Sequence, residues 1–311
     1  KSISNMTFYG RSETDLDIKQ IKNAEYLEKL WFGPSVTNDV EHWKKFTKLK
    51  NLHMERMNIG IFETLKVVNG KILFSEEHYF RLMASMRIVR MKIPMDFTLE
   101  FFENQVISLT DVLSISNSAR VRITVFRNEG GLYLPDQNTI SYVIEANSLA
   151  SKKYEVAQDN FEVDLFKDSY VSAQLLSTLK TTSKILNVTA SIFAKENDLN
   201  TCLLLNDKKN VVEAIAGNLF MLTGNKLITP PISEGCLNGI MRKQIIKVMK
   251  DFPEIEFSEA IISPFDLQKA DELFVTNVIQ GIQPITKYRK KEFKTTFSAQ
   301  LLDKINGIIE N

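Results

Sequence analysis

Apolar and polar residues alternate with two different periods along this chain, and each change of period marks an element. Ile61 to Val68 is a run of β-branched and apolar residues, Asn69-Gly70 follows, and Lys71 to Phe74 resumes the strand pattern. That predicts a hairpin, because both central positions of a type I′ turn need φ > 0. The period then lengthens. Phe80, Met83 and Met86 recur at helical spacing behind Ser75, a capping residue, with Glu76 and Glu77 in the first turn; Pro94 is expected to end this helix. Arg120 to Phe126 alternates basic or polar with apolar residues, as a half-buried strand does. Glu129-Gly130-Gly131 turns the chain and Thr139 to Glu145 returns.

The segment Asn147 to Lys152 is short and polar and reads as a linker. Beyond it, Cys202 to Leu205 is an apolar strand, Asn206 to Asn210 a turn, and Val211 opens the next strand. Gly224-Asn225 makes a second hairpin before Leu227 and Ile228. Ile240 to Met249 reads as a helix, Ser263-Pro264 as a helix start, Leu273 to Thr276 as a strand, and Ser298 to Ile309 as a closing helix. The expected architecture is α/β: an N-terminal α+β domain over residues 1–146, a linker at 147–152, and a C-terminal α/β domain over 153–311. Residues 1–56 are atypical and carry no motif, although Trp31, Phe32, Trp43 and Phe46 argue for packing rather than disorder.

Charge narrows the function classes. The 39 Lys and Arg against 38 Asp and Glu leave a net charge of +1, so nothing draws the chain to nucleic acid or to an anionic membrane. No apolar run approaches ~18 residues, and no membrane span is expected. The opening residues KSISNMTFYG hold no secretory signal, and Cys202 and Cys236 are too few for a disulfide scaffold, which points to a reducing, cytoplasmic setting.

Several common sites have no support. His42, His53 and His78 form neither an HExxH motif nor a Cys/His cluster, so no metal site is expected. No dinucleotide-binding, P-loop or nucleophile-elbow motif is present, and the basic stretch Tyr288 to Lys291 reads as a solvated loop. Three segments stand apart: LSTLKTTSK at 176–184, VVEAIAGNLF at 211–220 and EGCLNGIMRKQ at 234–244. Each alone is ordinary: a surface lysine, a strand-end glutamate, a glycine turn. Together they could form a phosphate and aldehyde site. Cys236 to Ile240 leads tightly into a helix whose first N–H groups favour a phosphate, Lys180 offers an amine, and Glu213 offers a carboxylate for a pyridinium nitrogen.

With GIFETLKVVNGKI at 60–72, EEHYFRL at 76–82 and RVRITVFRNEGG at 120–131, this set resembles the fold-type-IV pyridoxal-phosphate (PLP) enzymes. That family includes branched-chain and D-amino-acid aminotransferases and 4-amino-4-deoxychorismate lyase. The similarity runs from about Gly60 to about Ile285. It implies PLP in an interdomain cleft, a small-molecule amino substrate and a homodimer. Lys180 matches the Schiff-base lysine, which later moves protons, while Lys184 falls at a variable helical position. Glu213 matches the carboxylate paired with the pyridine nitrogen, and Arg81 an arginine on the phosphate. Asn238, Gly239, Ile240 and Met241 match the phosphate loop, with the amides of the last three as its cup. Arg127 aligns with an arginine that meets the substrate carboxylate in several members, its alternative being a surface ion pair with Glu129.

One departure concerns the substrate side: the family's Tyr-Gly-Asp-Gly turn is replaced by Met57-Asn58-Ile59-Gly60. Within the family, Asn238 to Arg242 and Asn277 resemble the lyase form. The first expectation is therefore a 4-amino-4-deoxychorismate lyase releasing pyruvate and 4-aminobenzoate. The alternative is a class IV aminotransferase passing an amino group from a branched-chain or D-amino acid to 2-oxoglutarate. A third is a degenerate member that keeps the fold without catalysis.

Overall fold

The computed structural model describes residues 60–310 except 129, 132 and 157–159. It also describes three short strands, β1 (Asn5–Thr7), β2 (Lys29–Phe32) and β3 (Asn51–Met54), which form a parallel sheet. The side chains of Trp31 and Phe32, residues Trp43 and Phe46, the segment Met57-Asn58-Ile59 and Glu129 lie outside the described residues.

The first large sheet has the order β5-β4-β6-β7 and is antiparallel throughout. Its strands are β4 (Gly60–Val68), β5 (Lys71–Ile72), β6 (Ser118–Arg127) and β7 (Ile140–Ser148). The Asn69-Gly70 turn takes φ of 50° and 71°, as the hairpin demands. Two helices, α1 (Ser75–Ile88) and α2 (Leu99–Val112), cover one face. Ile61, Leu65, Val67, Val121, Ile123 and Val125 pack against Leu82, Met86, Phe102 and Val106 there. On β4 and β6 every residue of that face is odd-numbered, because side chains alternate with a period of two. The even-numbered face carries Phe62, Thr64 and Lys66 opposite Thr124, Arg122 and Arg120. It does not meet the helices.

The second sheet runs β13-β12-β11-β10-β9-β8-β16-β17, with β14 pairing both β11 and β15. In chain order its elements are β8 (Glu162–Val171), α3 (Ile185–Glu196), β9 (Thr201–Asn206), β10 (Val211–Ala214), β11 (Gly217–Thr223) and β12 (Lys226–Thr229). They continue with α4 (Ile240–Val248), β13 (Glu256–Glu259), β14 (Glu272–Asn277), β15 (Gly281–Ile285), β16 (Lys287–Tyr288), β17 (Lys291–Glu292) and α5 (Thr296–Glu310). β9 and β14 are buried almost throughout, and α4 and α5 seal one side through Ile245, Leu301 and Ile305. The fold is α/β. Among the described residues no helix is long and apolar enough to cross a membrane.

Several local expectations shift. Ser75 does not cap α1; Phe74 holds the cap position at φ 56°, and Ser75 Oγ is buried without a partner among the described residues. The helix ends at Ile88, six residues before Pro94, because Arg90 turns left-handed at φ 62°. Phe80, placed on the apolar stripe by its spacing, is exposed. Ser263-Pro264 opens only a short 3-10 turn, Asp266–Lys269, with the Ser263 N–H and Oγ both donating to Asp266 Oδ2. β7 continues through Asn147 and Ser148, paired with Arg120 and Ala119, so the first two residues of the expected linker belong to the sheet.

Candidate functional site

The segment carrying Lys180 joins the two sheets. Phe62 N–H donates to Lys180 O at 2.8 Å, Thr182 N–H donates to Gly60 O at 2.8 Å, and Ile61 and Thr181 form an antiparallel bridge. Gly60 is needed for this approach, since a Cβ there would lie 2.9 Å from Thr182 Cγ2. The bridge turns the Lys180 side chain toward the Phe62 face of β4, with Nζ 4.5 Å from the ring centroid. Burial, reinforced by the charges of Arg81 and Lys184, lowers the Lys180 ammonium to about 8, against the opposing pull of Glu63 and Glu213. An amine so placed is partly neutral near physiological pH and can act as nucleophile or base.

Glu213 enters from β10. Its Oε2 accepts the Leu237 N–H at 2.8 Å, and burial pushes its carboxyl up despite that bond and the nearby charges of Lys184 and Lys180. A buried carboxylate under this strain is stabilised by a cationic partner.

Arg81 sits on the same face of α1 as His78, one turn away, and both reach Glu63 of β4. Arg81 Nε and Nη2 donate to Glu63 Oε1 and Oε2 at 2.7 and 2.6 Å, while Nη1 donates to Asn238 O at 2.9 Å. His78 Nδ1 lies 2.8 Å from Glu63 Oε2. Burial alone would raise the Glu63 carboxyl, but the Arg81 charge and the hydrogen bonds from His78 and Arg81 outweigh it and hold it at about 2. Burial also lowers His78, which keeps the imidazole neutral with Nδ1–H toward Glu63. Its Nε2 is buried and finds no partner among the described residues.

The turn before α4 completes the arrangement. Gly239 is the residue preceding the helix, and a Cβ on it would lie 2.0 Å from Asn218 Oδ1. Asn218 is itself held by donating Nδ2–H to Leu237 O at 2.8 Å. The turn is therefore a cradle with no room for a side chain, opening on the free N–H groups of a helix N-terminus. Of the three amides expected in the cup, that of Gly239 is already taken by Leu237 O at 2.9 Å, which leaves those of Ile240 and Met241. Asn238 contributes its carbonyl, as the acceptor for Arg81.

These groups surround a cavity of about 490 Å³ between the two sheets. Lys180, Glu213, Arg81, Gly239, Ile240 and Met241 all line it. Arg127 does not. Its odd number puts it on the helix-facing side of β6, where it is buried and donates to Val89 O. The even-numbered Arg120 and Arg122 face the cavity instead. The Arg122 guanidinium stacks 3.9 Å over the Phe62 ring, and burial lowers it against the nearby Glu145 charge. The alternation in RVRITVF held the signal for this pair, but a basic strand face reads equally well as a solvated one. Glu63 and His78 were also missed; the three-residue step from His78 to Arg81 on one helix face was their trace.

On the far wall, Thr276 and the turn 277–280 close the cavity, and Thr276 Oγ1 is buried without a partner among the described residues. The Asn277 side chain organises that turn: Oδ1 accepts the N–H groups of Ile279 and Gln280, and Nδ2 donates to Gln280 Oε1. No group of three or more His, Cys, Asp or Glu able to hold a metal occurs among the described residues.

Residues 60–288 match a family model described as amino-transferase class IV. The chain is 28% identical over 236 residues to a D-alanine aminotransferase of Listeria innocua, covering 73% of this chain and 77% of that protein. Among solved structures, a branched-chain aminotransferase of Thermoproteus uzoniensis aligns with a TM-score of 0.72 at 21% identity, over 81% of this chain and 85% of that one. A Legionella pneumophila protein named "Putative 4-amino-4-deoxychorismate lyase" aligns with a TM-score of 0.71 at 21% identity, over 80% and 90%.

Proposed function

The chain belongs to the class IV aminotransferase family, whose members depend on PLP, and from that premise we propose that it is a lyase that splits 4-amino-4-deoxychorismate into 4-aminobenzoate and pyruvate. The residues fit the cofactor on their own terms. A side-chain-free turn at a helix N-terminus and Arg81 suit its phosphate, Lys180 suits its aldehyde, and Glu213, raised by burial, suits a protonated ring nitrogen. When bound, PLP supplies an electron sink for the carbon that carries the substrate amine.

The observation that carries the lyase reading is the charge of the cavity wall. Five cations, Arg81, Arg120, Arg122, Lys180 and Lys184, face it against a single carboxylate, Glu213. Arg81 would hold the phosphate and Lys180 the aldehyde, and the Lys184 charge acts on Glu213, so Arg120 and Arg122 are left for the substrate. Two guanidinium groups on one strand face suit a substrate with two carboxylates, which 4-amino-4-deoxychorismate has. Lys180 Nζ takes the proton from the amine-bearing carbon. The ring carbon–oxygen bond then breaks, its electrons leave with enolpyruvate, and protonation gives pyruvate as the ring becomes aromatic. A second reading is favoured by the relatives' names: transamination from a D- or branched-chain amino acid to 2-oxoglutarate, itself a dicarboxylate.

Purified holoenzyme given 4-amino-4-deoxychorismate is expected to form 4-aminobenzoate and pyruvate in equal amounts. With D-alanine or L-leucine and 2-oxoglutarate, it is expected to form little glutamate. Arg122→Ala should lower kcat/KM at least about thirtyfold, as loss of a buried charge-assisted contact does. Arg127→Ala should lower thermal stability with kcat/KM kept. Rapid glutamate formation without 4-aminobenzoate would overturn the lyase reading and leave the transaminase.

A further inference from the structure

The segment between β7 and β8 is tied to both sheets. It begins on the first: Leu149 N–H donates to Ser118 O at 2.9 Å, and Ser118 Oγ donates to Ser151 O at 2.8 Å. Lys66, on the cavity-side face of β4, is fully buried; it donates to Lys153 O at 3.2 Å and lies 4.1 Å from the Tyr154 ring centroid. Tyr154 is buried in turn, and both polar groups of its backbone are locked by Asn306 of α5. The Tyr154 N–H donates to Asn306 Oδ1, and Asn306 Nδ2 donates to Tyr154 O, each at 2.8 Å.

The tyrosine then reaches the second sheet at the cavity wall. Its hydroxyl donates to Val278 O at 2.8 Å, and its ring lies against Gly281. Gly281 has φ +75°, and a Cβ there would come within 2.6 Å of the ring, so this position needs glycine for two reasons. Val278 belongs to the turn 277–280, whose residues all line the cavity. Asn277 holds the amides of Ile279 and Gln280 from inside that turn, and the Val278 carbonyl is held from outside by Tyr154.

We propose that Tyr154 is a positioning residue for the substrate: it fixes the cavity-facing turn 277–280 from behind, and Lys66 fixes Tyr154. One wall of the substrate site is thereby set by the connecting segment and referenced to the opposite sheet. Burial keeps the Tyr154 hydroxyl protonated as a donor far above neutral pH. The role requires only that the cavity take an amino substrate, and it holds for elimination and for transamination alike.

The test is Tyr154→Phe, which keeps the ring against Gly281 and Lys66 and removes a single donor. Amide hydrogen exchange of holoenzyme peptides spanning 277–281 is expected to accelerate about five- to tenfold, the consequence of leaving a carbonyl unpaired. Exchange in peptides spanning 236–242 should stay unchanged. In the same variant KM for whichever of 4-amino-4-deoxychorismate or D-alanine turns over should rise by a similar factor, with kcat within about twofold and PLP affinity unaltered. Tyr142→Phe, which loses a hydroxyl bond to Gln105 elsewhere, serves as control and should leave both readouts unmoved. Unchanged exchange at 277–281, or a fall in PLP affinity and melting temperature along with the change in KM, would overturn the proposal. The exchange measurement uses no substrate, so its outcome is separate from the choice between the two reactions.

Discussion

Two buried glutamates of this site depart from the ordinary carboxylate value in opposite directions, one through its neighbours and one through burial. Glu63 is surrounded by Arg81 and His78 and is held at about 2, whereas Glu213 has one backbone donor and is raised by burial. For Glu63 the folded value lies below the ordinary 4.5, so its contribution to stability is complete above about pH 4.5 and is lost as pH falls toward 2. Glu63→Gln should remove a pH-dependent component on the order of 3 kcal/mol from that window, read as the difference in urea unfolding free energy between the two proteins from pH 5 to pH 2. Glu213→Gln tests the other case. It preserves the Leu237 N–H bond and removes the charge proposed to pair with the pyridine nitrogen. Turnover should fall about a hundred- to a thousandfold, equivalent to roughly 3–4 kcal/mol in the barrier, with PLP still bound by the visible spectrum. An undiminished kcat would remove Glu213 from its assigned role.

At the scale of elements, the proposed cofactor cradle depends on the absence of one methyl group. Gly239 has an ordinary φ of −68°, so backbone freedom is not what demands glycine; the demand comes from Asn218 Oδ1 at 2.0 Å from the Cβ position. Gly239→Ala must displace Asn218 and break its bond to Leu237, at a cost of about 1–3 kcal/mol. PLP affinity should weaken about five- to a hundredfold in equilibrium titration. Adding Asn218→Ala to this variant should cost little more, because the two changes act on one contact. Additive losses would show that the cradle is not organised by this pair. The strand β6 teaches the same lesson about faces. Arg122 and Arg127 look equivalent in RVRITVFR, and only the parity of their positions sends one to the cavity and the other to Val89.

At the scale of the whole molecule, Lys66 is a buried cation that joins the first sheet to the segment between β7 and β8, at a cost in stability. Burial lowers it to about 8, against the pull of Glu155. Its folded value lies below the ordinary 10.5, so the penalty is full below about pH 8 and disappears as pH rises to 10.5. Lys66→Met should therefore melt above the wild type at pH 7, and the gap should close between pH 8 and 10.5. A lower melting temperature for the variant at pH 7 would refute this account. Much of the architecture was determined by the sequence alone. Hydrophobic period, the Asn69-Gly70 turn and the strands around Cys202 and Leu273 are local signals, and each survives in the fold because propensity and pattern act over a few residues. Lys180, Glu213 and Arg81 were legible as well, through the family resemblance of their motifs, and the structure brings them to one cavity. The exposure of Phe80 was decided by packing. So were Arg120 and Arg122 over Arg127, the Glu63–His78–Arg81 cluster and the hold of Tyr154 on Val278. Each of these depends on which strand face meets helices, which meets the other sheet, and what stands opposite. That information lies in contacts between residues tens to more than a hundred positions apart, where no local pattern reaches.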